Sequence, residues 1–297
     1  MSATAPSAGP VRPTRLVVGT GPLGARVAAA WRAAGDRVFG TTRRPARAAE
    51  LAAAGIEPVI ADVAGAEPWW RELPPLATVF WAVGFDRAAG GTHRDVHVTG
   101  LGRLLDGLAA SARGATAPRV IFSSSTGVWG DEAGGIVDES TPPRPGREAG
   151  RVLVEAEEAL RAHPLGPGVA LRFAGLYGPG RLPRLDDLRA GRPLAADPDS
   201  WLNLLHLDDA ARVVRAVAAA AAPRPLYVVS DGRPVRRCDW YGRLAALVGA
   251  PPPTWDTTAP RERGADKRVS PALLFGDLGF TPLHPDSLAT LADLVPG

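Results

Sequence analysis

Short, nearly continuous apolar runs alternate along this chain with longer stretches in which apolar residues recur at helical spacing. TRLVVG (14–19), DRVFGTT (36–42), EPVIADV (57–63), LATVFWAVG (76–84), PRVIFSSS (118–125) and GVALRFAG (168–175) read as strands. Being apolar at successive positions, they suit a sheet covered on both faces, where every side chain meets a helix layer instead of water. Between them, ARVAAAWRAAG (25–35), PARAAELAAAG (45–55), 93–113 and 147–161 read as helices, the first closed by Gly35 at its C-terminus. This alternation predicts an α/β fold with a doubly wound parallel sheet.

Past residue 175 the rhythm changes. YGPGRLPRLDDLRAGRPLAADP (177–198) is dense in Gly and Pro, and is followed by a helix over 207–222, a strand PLYVVS (225–230) and a final helical segment. The expected organisation is a disordered lead-in (1–13), a Rossmann nucleotide-binding domain (14–175, with 203–230 returning to it), and a small C-terminal substrate lobe (176–202 and 231–297). The lobe is expected at the carboxyl edge of the sheet, where α/β proteins bind ligands.

Composition narrows the function class. Of 297 residues, 45% are hydrophobic and 22% charged, with a net charge of +3. No apolar run is long enough to span a bilayer, so no membrane association is expected. A single cysteine, Cys238, allows no internal disulfide and no Cys-based zinc cluster, which fits a reducing, cytoplasmic setting. No His/Asp/Glu spacing suggests a metal site. Basic residues are not interleaved with aromatics in blocks, so nucleic acid is not an expected partner. The expected partner is a small-molecule substrate, with a homodimer through the 93–113 and 147–161 helices as the open alternative to a monomer.

The chemistry begins in VVGTGPLGARV. Gly19, Gly21 and Gly24 stand in G-x-G-x-x-G spacing directly between the first strand and the first helix. Gly19 suits the tight turn, Gly21 lets backbone amides approach a pyrophosphate, and Gly24 lets helix and strand pack closely. Thr20, Pro22 and Leu23 complete the loop. About 20 residues on, a site for the unphosphorylated dinucleotide wants a carboxylate to hold the ribose 2′-hydroxyl. Here Gly40 and Thr41 are followed by Thr42, Arg43 and Arg44. Two guanidiniums and no carboxylate suit a 2′-phosphate, so NADP(H) is the expected cofactor. Asp62 and Val63, ending the third strand, are placed to meet the adenine; Ala82, Val83 and Gly84 would run along the cofactor, as would Ser123.

Five further segments extend the pattern: FSSSTGVWGDE (122–132), IVDESTPPRP (136–145), LRFAGLYGPGR (171–181), NLLHLDDAARVV (203–214) and KRVSPALLFGDLGF (267–280). Their kinds and order resemble the short-chain dehydrogenase/reductase superfamily, in its extended or atypical, NAD-dependent epimerase/dehydratase-like branch. The resemblance runs from about residue 14 to 285. It implies a catalytic serine at Ser125, the third in the serine run, and a Tyr-x-x-x-Lys pair on the following helix.

That pair is missing. With Glu155 laid on the glutamate the family places after its lysine, Arg151 falls at the lysine position and Arg147 at the tyrosine position. Arginine stays protonated at physiological pH and is a poor general acid or base. Arg151 keeps only charge, for ribose hydroxyls or an oxyanion. The sole lysine of the chain, Lys267, lies in another motif. Of three tyrosines, Tyr177 at the switch-point edge is the one placed to face the nicotinamide, and the proton is expected from it, from a bound water or from the substrate. His206 reads as a half-buried packing histidine; His93, Asp131 and Glu148 are not singled out. Trp31, Trp69, Trp70 and Trp81 read as packing, whereas Trp129 and Trp201 are expected to line a substrate pocket.

The leading expectation is an NADP(H)-dependent oxidoreductase acting on a small carbonyl or imine-like substrate. The alternatives are an epimerase, lyase or cyclase that retains its cofactor, and a non-catalytic NADP-binding sensor or scaffold.

Overall fold

The computed structural model describes residues 12–86, 88, 90–112, 116–166, 168–258 and 265–295. The expected lead-in therefore falls almost entirely outside the described residues. In chain order the elements are β1 (Thr14–Val18), α1 (Pro22–Ala33), β2 (Arg37–Thr42), α2 (Pro45–Ala53), β3 (Glu57–Ile60), β4 (Thr78–Trp81), α3 (Leu101–Ser111), β5 (Arg119–Ser125), β6 (Ile136–Val137), α4 (Glu148–Ala162), β7 (Val169–Phe173) and β8 (Gly175–Tyr177). They continue with α5 (Leu185–Arg189), β9 (Trp201–Leu202), β10 (Leu204–His206), α6 (Leu207–Ala219), β11 (Leu226–Val229), β12 (Val235–Arg236), α7 (Arg237–Leu247), β13 (Arg268–Val269), α8 (Ala272–Leu278) and α9 (Ser287–Leu294).

Seven strands form one parallel sheet in the order β3-β2-β1-β4-β5-β7-β11, the doubly wound arrangement that the apolar runs predict. Alternate residues of each strand serve opposite layers. Val17, Phe80, Ile121 and Leu171 point toward α1, α6 and α8, meeting Val27, Trp31, Val214 and Leu274. Leu16, Val18, Val79, Trp81 and Phe122 point the other way, meeting Leu101, Leu104 and Leu105 of α3 and Ala156 and Leu160 of α4. Full burial of side chains this large is what holds the sheet: removing one such as Trp81 costs about 3–5 kcal/mol.

One charged pair is sealed beneath the sheet's carboxyl end. Arg172 on β7 holds Glu157 of α4 at 2.6 Å, and Ser124 donates to the same carboxylate at 2.5 Å. The Arg172 guanidinium also lies 4.7 Å from the centre of the Trp129 ring. Breaking such a pair from one side is costly because a charge is left unpaired in a dry site.

The lobe has a core of its own, built from Tyr177, Leu188, Leu194, Leu204, Trp240, Tyr241, Leu244 and Leu291. Three two-stranded ribbons lie outside the main sheet: β8 with β10, β6 with β13, and β9 with β12.

Three sequence expectations shift for local reasons. The third strand ends at Ile60, because Asp62 turns the chain by accepting from the Ala64 amide at 3.1 Å. The 93–113 helix opens with a π-helical stretch, Asp95–Gly100, before α3 proper. A Cβ on Gly100 would lie 2.4 Å from the Val63 carbonyl oxygen, so only glycine lets this helix approach the third strand's end. The 207–222 helix stops at Ala219, where Arg119 reaches across to donate to the carbonyls of Val217, Ala218 and Ala220. A guanidinium there satisfies terminal carbonyls and faces the negative end of the helix.

Candidate functional site

The carboxyl ends of β1, β2, β3 and β4 open onto one cleft of about 550 Å³, within the size range of small-molecule and cofactor sites. Its floor is the glycine turn. Gly19 adopts φ +92°, and a Cβ there would strike Val83 at 2.9 Å. A Cβ on Gly24 would lie 2.0 Å from the Gly19 carbonyl oxygen, so α1 closes on the turn only without a side chain. Gly21 differs: a Cβ there meets nothing within 4 Å. Its glycine keeps a concavity open in front of α1, whose first residue is Pro22 and whose N-terminus has no side-chain cap. The open amides at that end suit the pyrophosphate of a dinucleotide.

The turn is pinned to β2. Thr41 accepts from the Gly19 amide at 2.8 Å, and Thr20 donates to the Thr41 carbonyl at 3.1 Å. Beyond β2, Thr42, Arg43, Arg44 and Arg47 border the cleft, as do two carboxylates from later in the chain, Asp62 and Asp86. Arg43 pairs with Asp86 at 3.0 Å. Arg47 pairs with Glu50 at 2.5 Å and donates to the Thr20 carbonyl at 3.3 Å. Arg44, at the head of α2, makes no side-chain hydrogen bond among the described residues.

The structure brings Gly19, Thr20, Gly21, Pro22, Leu23, Thr42, Arg43, Arg44, Asp62, Val63, Ala82, Val83, Gly84 and Ser123 to this one cleft. Gly24 lies behind it as a packing residue. Phe85, Val96, Leu176 and Arg181 border it as well. Sequence reasoning did not single those four out. Only Arg181 carried a signal, its place beside the Gly-Pro-Gly turn.

The expected catalytic residues do not converge. Ser125 ends β5 as expected and is half-buried. Its Oγ accepts from the Gly127 amide at 3.0 Å, capping a single 3₁₀ turn over Thr126–Val128. A hydroxyl that accepts one bond still has its hydrogen to donate, and no acceptor for it stands among the described residues. Arg151 sits on the exposed side of α4, with no side-chain hydrogen bond among the described residues. Arg147 is the extended N-cap of α4, outside the helix, so the two arginines do not share a helical face.

Tyr177 is where the structure corrects the sequence most clearly. Its ring is fully buried in the lobe core, edge-on to His206 at 5.3 Å and to Trp240 at 6.3 Å. Its hydroxyl has no partner at full hydrogen-bond geometry, although the nearby Thr290 side chain acts on it in the lowering direction, and burial, the larger effect, pushes its pKa well above the usual phenol range. A strand with Leu176 and Tyr177 adjacent must point them to opposite sides; Leu176 takes the cleft and Tyr177 the core. Tyr177 therefore does not face the nicotinamide position. Trp129 is likewise buried, its Nε1 donating to the Thr141 carbonyl at 3.0 Å, and does not border the cleft. Trp201 is flanked by Arg236 and Arg268, whose guanidinium carbons lie 3.8 and 5.5 Å from its ring centre.

His206, Asp208 and His284 approach one another within 4.8 Å. The two imidazole rings lie with their centres 3.8 Å apart, tilted by 36° to one another. Two imidazoles sharing a tetrahedral ion at ~2.0–2.1 Å hold their centres about 5 Å apart, so this arrangement is a packing one. His206 Nδ1 accepts from the Asp208 amide at 3.2 Å and caps α6.

A doubly wound sheet, a glycine turn at the head of its first helix and a lobe over its carboxyl edge define a dinucleotide-binding protein of the extended short-chain dehydrogenase/reductase group. The chain belongs to the NAD dependent epimerase/dehydratase family, whose model matches residues 16–230. Protein YeeZ of Escherichia coli is 36% identical over 172 residues, 58% of this chain and 60% of that protein, so the match spans under two thirds of that relative's length. A 3-diazoavenalumate denitrifying reductase of a Streptomyces species is 29% identical over 268 residues, covering 80% of this chain and 82% of the reductase. Among solved structures, a conserved protein of unknown function from Silicibacter pomeroyi superposes with a TM-score of 0.76 at 29% identity, covering 95% of this chain and 98% of its own. Among the described residues, no helix is long and apolar enough to cross a membrane.

Proposed function

We propose that this protein is an NADP(H)-dependent reductase of a small carbonyl or imine-like compound. The observation that carries the reading is the chemistry at the end of β2: three arginines and two threonines border the cleft there, β2 itself ends without a carboxylate, and Asp86, which lines the same cleft, is taken up by Arg43. A 2′-phosphate gains charge-assisted hydrogen bonds there, whereas a ribose 2′-hydroxyl finds no acceptor of the usual kind. The Streptomyces relative named as a reductase supports the redox assignment, and the family supports a nicotinamide dinucleotide.

When bound, the reduced cofactor supplies the hydride. The protein's part is to hold and polarise the acceptor. The Ser125 hydroxyl, held at the end of β5 by its bond from the Gly127 amide, donates to the substrate's carbonyl oxygen or imine nitrogen and stabilises the negative charge that develops there. The proton that completes the reduction comes from water, since Tyr177 is sealed in the lobe core and an arginine side chain is a poor proton donor. The substrate carbon thus gains a hydride and its heteroatom a proton, while the cofactor is oxidised.

Calorimetric titration with NADP+ and NAD+ tests the cofactor choice; equal affinities sink it. Stopped-flow mixing of the NADPH-loaded protein with a carbonyl and imine panel tests the reaction. Turnover of a compound with no net change in reduced-nicotinamide absorbance would instead favour the epimerase-type reading that the family also contains.

A further inference from the structure

The turn that carries Ser125 is held from two sides. On one side lies α4, through Gly150; on the other lies Lys267, the chain's only lysine, at the start of β13. Lys267 is 6% exposed, and its Nζ donates to the Trp129 carbonyl oxygen at 3.1 Å. An ammonium has three N–H donors. Among the described residues that is the only hydrogen bond this one makes, and no carboxylate forms an ion pair with it. Lysines are rarely buried without an ion partner, because the desolvation of an isolated ammonium is not recovered.

The surroundings add positive charge. Arg237, itself buried, donates to Ser200 at 2.8 Å, and both Arg237 and Arg147 lie near enough to act on the Lys267 ammonium. Asp131 and Glu132 act in the opposite sense from beyond ion-pair distance. The backbone around the lysine is fixed: Asn203 donates to the Lys267 carbonyl at 2.8 Å and accepts from the Val269 amide at 2.8 Å. A mobile surface lysine would need no such clamp.

We propose that Lys267 is a substrate-binding residue that receives the carboxylate of an organic acid, the two N–H groups that have no partner among the described residues pairing with the carboxylate oxygens beside the Ser125 turn. This rests on the reductase reading, and narrows its substrate to one that carries a carboxylate as well as the reducible group. Burial first, and the neighbouring Arg237 second, lower the lysine's pKa to about 8, which leaves it mainly charged near neutrality. An arriving carboxylate would supply the close counter-charge that is absent among the described residues and raise that value again. A monoanion with two oxygens matches two donors; a phosphate dianion would bring more acceptors than this ammonium can fill.

Because the chain has one lysine, protein labelled with 13C at lysine Cε gives a single lysine resonance. The full-length protein, with and without saturating NADP+, is titrated with benzoate, acetate and inorganic phosphate. Saturable movement of that resonance by benzoate or acetate, with its titration midpoint displaced upward, is the expected result. Lys267→Met should weaken benzoate binding by at least tenfold, on the order of 1.4 kcal/mol, with NADP+ affinity unchanged; Lys267→Arg should keep most of it. A resonance that no carboxylate moves overturns the proposal, whether or not the methionine variant folds. Movement by phosphate alone overturns the carboxylate assignment. Loss of NADP+ binding in the unaltered protein would instead strike the cofactor reading, since the lysine is also read without cofactor.

Discussion

A Cβ placed on Gly150 would lie 2.5 Å from the carbonyl oxygen of Gly127 and 2.8 Å from Cβ of Pro145. Neither neighbour is the free end of a flexible side chain. The first turn of α4 can therefore rest against the Ser125 turn only while residue 150 lacks a side chain. Gly150→Ala gains about 1 kcal/mol of intrinsic helix propensity but must push α4 outward, an overpacking cost of about 1–3 kcal/mol. We expect a net loss of stability in urea unfolding, and a fall in kcat larger than any change in NADP+ affinity. A variant as stable and active as the parent would show that the contact does not position the turn.

The cofactor preference follows from charge at one sheet end. Arg44 makes no side-chain hydrogen bond among the described residues, whereas Arg43 is engaged with Asp86 and Arg47 with Glu50. Arg44→Glu should weaken NADP+ binding at least tenfold and affect NAD+ little, because only the phosphorylated ribose meets the reversed charge. The loss should shrink as salt rises, since the site is open to solvent and screened. Calorimetry at two ionic strengths checks both parts; equal losses for the two dinucleotides would move the phosphate site elsewhere.

Much of this was legible in the sequence, for identifiable reasons. Six apolar runs and the strand PLYVVS became the seven-stranded sheet, because parallel strands buried on both faces leave an unambiguous pattern. The glycine turn, Thr42, Arg43 and Arg44 lie on contiguous local structure, so spacing alone places them at one cleft. The side-chain direction of Tyr177 was not legible: a three-residue strand has two faces, and only the tertiary fold decides which meets the lobe core. Lys267 was passed over because its partners, Trp129, Arg237 and Asn203, are far away in sequence. Gly150 was hidden inside a helix, where a glycine has no local reason to be.

Tyr177 offers a direct check of that correction. Its hydroxyl is buried with no partner at full hydrogen-bond geometry, only the nearby Thr290 side chain acting on it, and an unsatisfied buried hydroxyl costs about 1–3 kcal/mol relative to a satisfied one. Tyr177→Phe removes the hydroxyl and keeps the edge-on ring contacts with His206 and Trp240. We expect unchanged or slightly raised stability and a kcat within twofold of the parent. A fall of a hundredfold or more in kcat, with KM unaffected, would return this phenol to the chemistry.

Asp231, at the seam between β11 and the lobe, sets a pH dependence of stability. It is 4% exposed, and its Oδ2 has no partner. Burial, opposed by the bond its Oδ1 accepts from the Arg233 amide at 2.9 Å, raises its pKa to about 7. Asp286 and Asp209 press in the raising direction and the Arg233 guanidinium in the lowering one. The folded state therefore holds a proton that the unfolded chain gives up near pH 4. Between those two values the folded state binds more protons, so stability falls as pH rises, and the loss is complete once pH passes about 7. Asp231→Asn cannot ionise and should escape that loss. In urea unfolding from pH 5 to 8, the variant should gain on the parent steadily, by a total of a few kcal/mol, with the difference level above pH 8. Parallel curves across that range would mean that Asp231 is ionised throughout and finds compensation not seen in its surroundings.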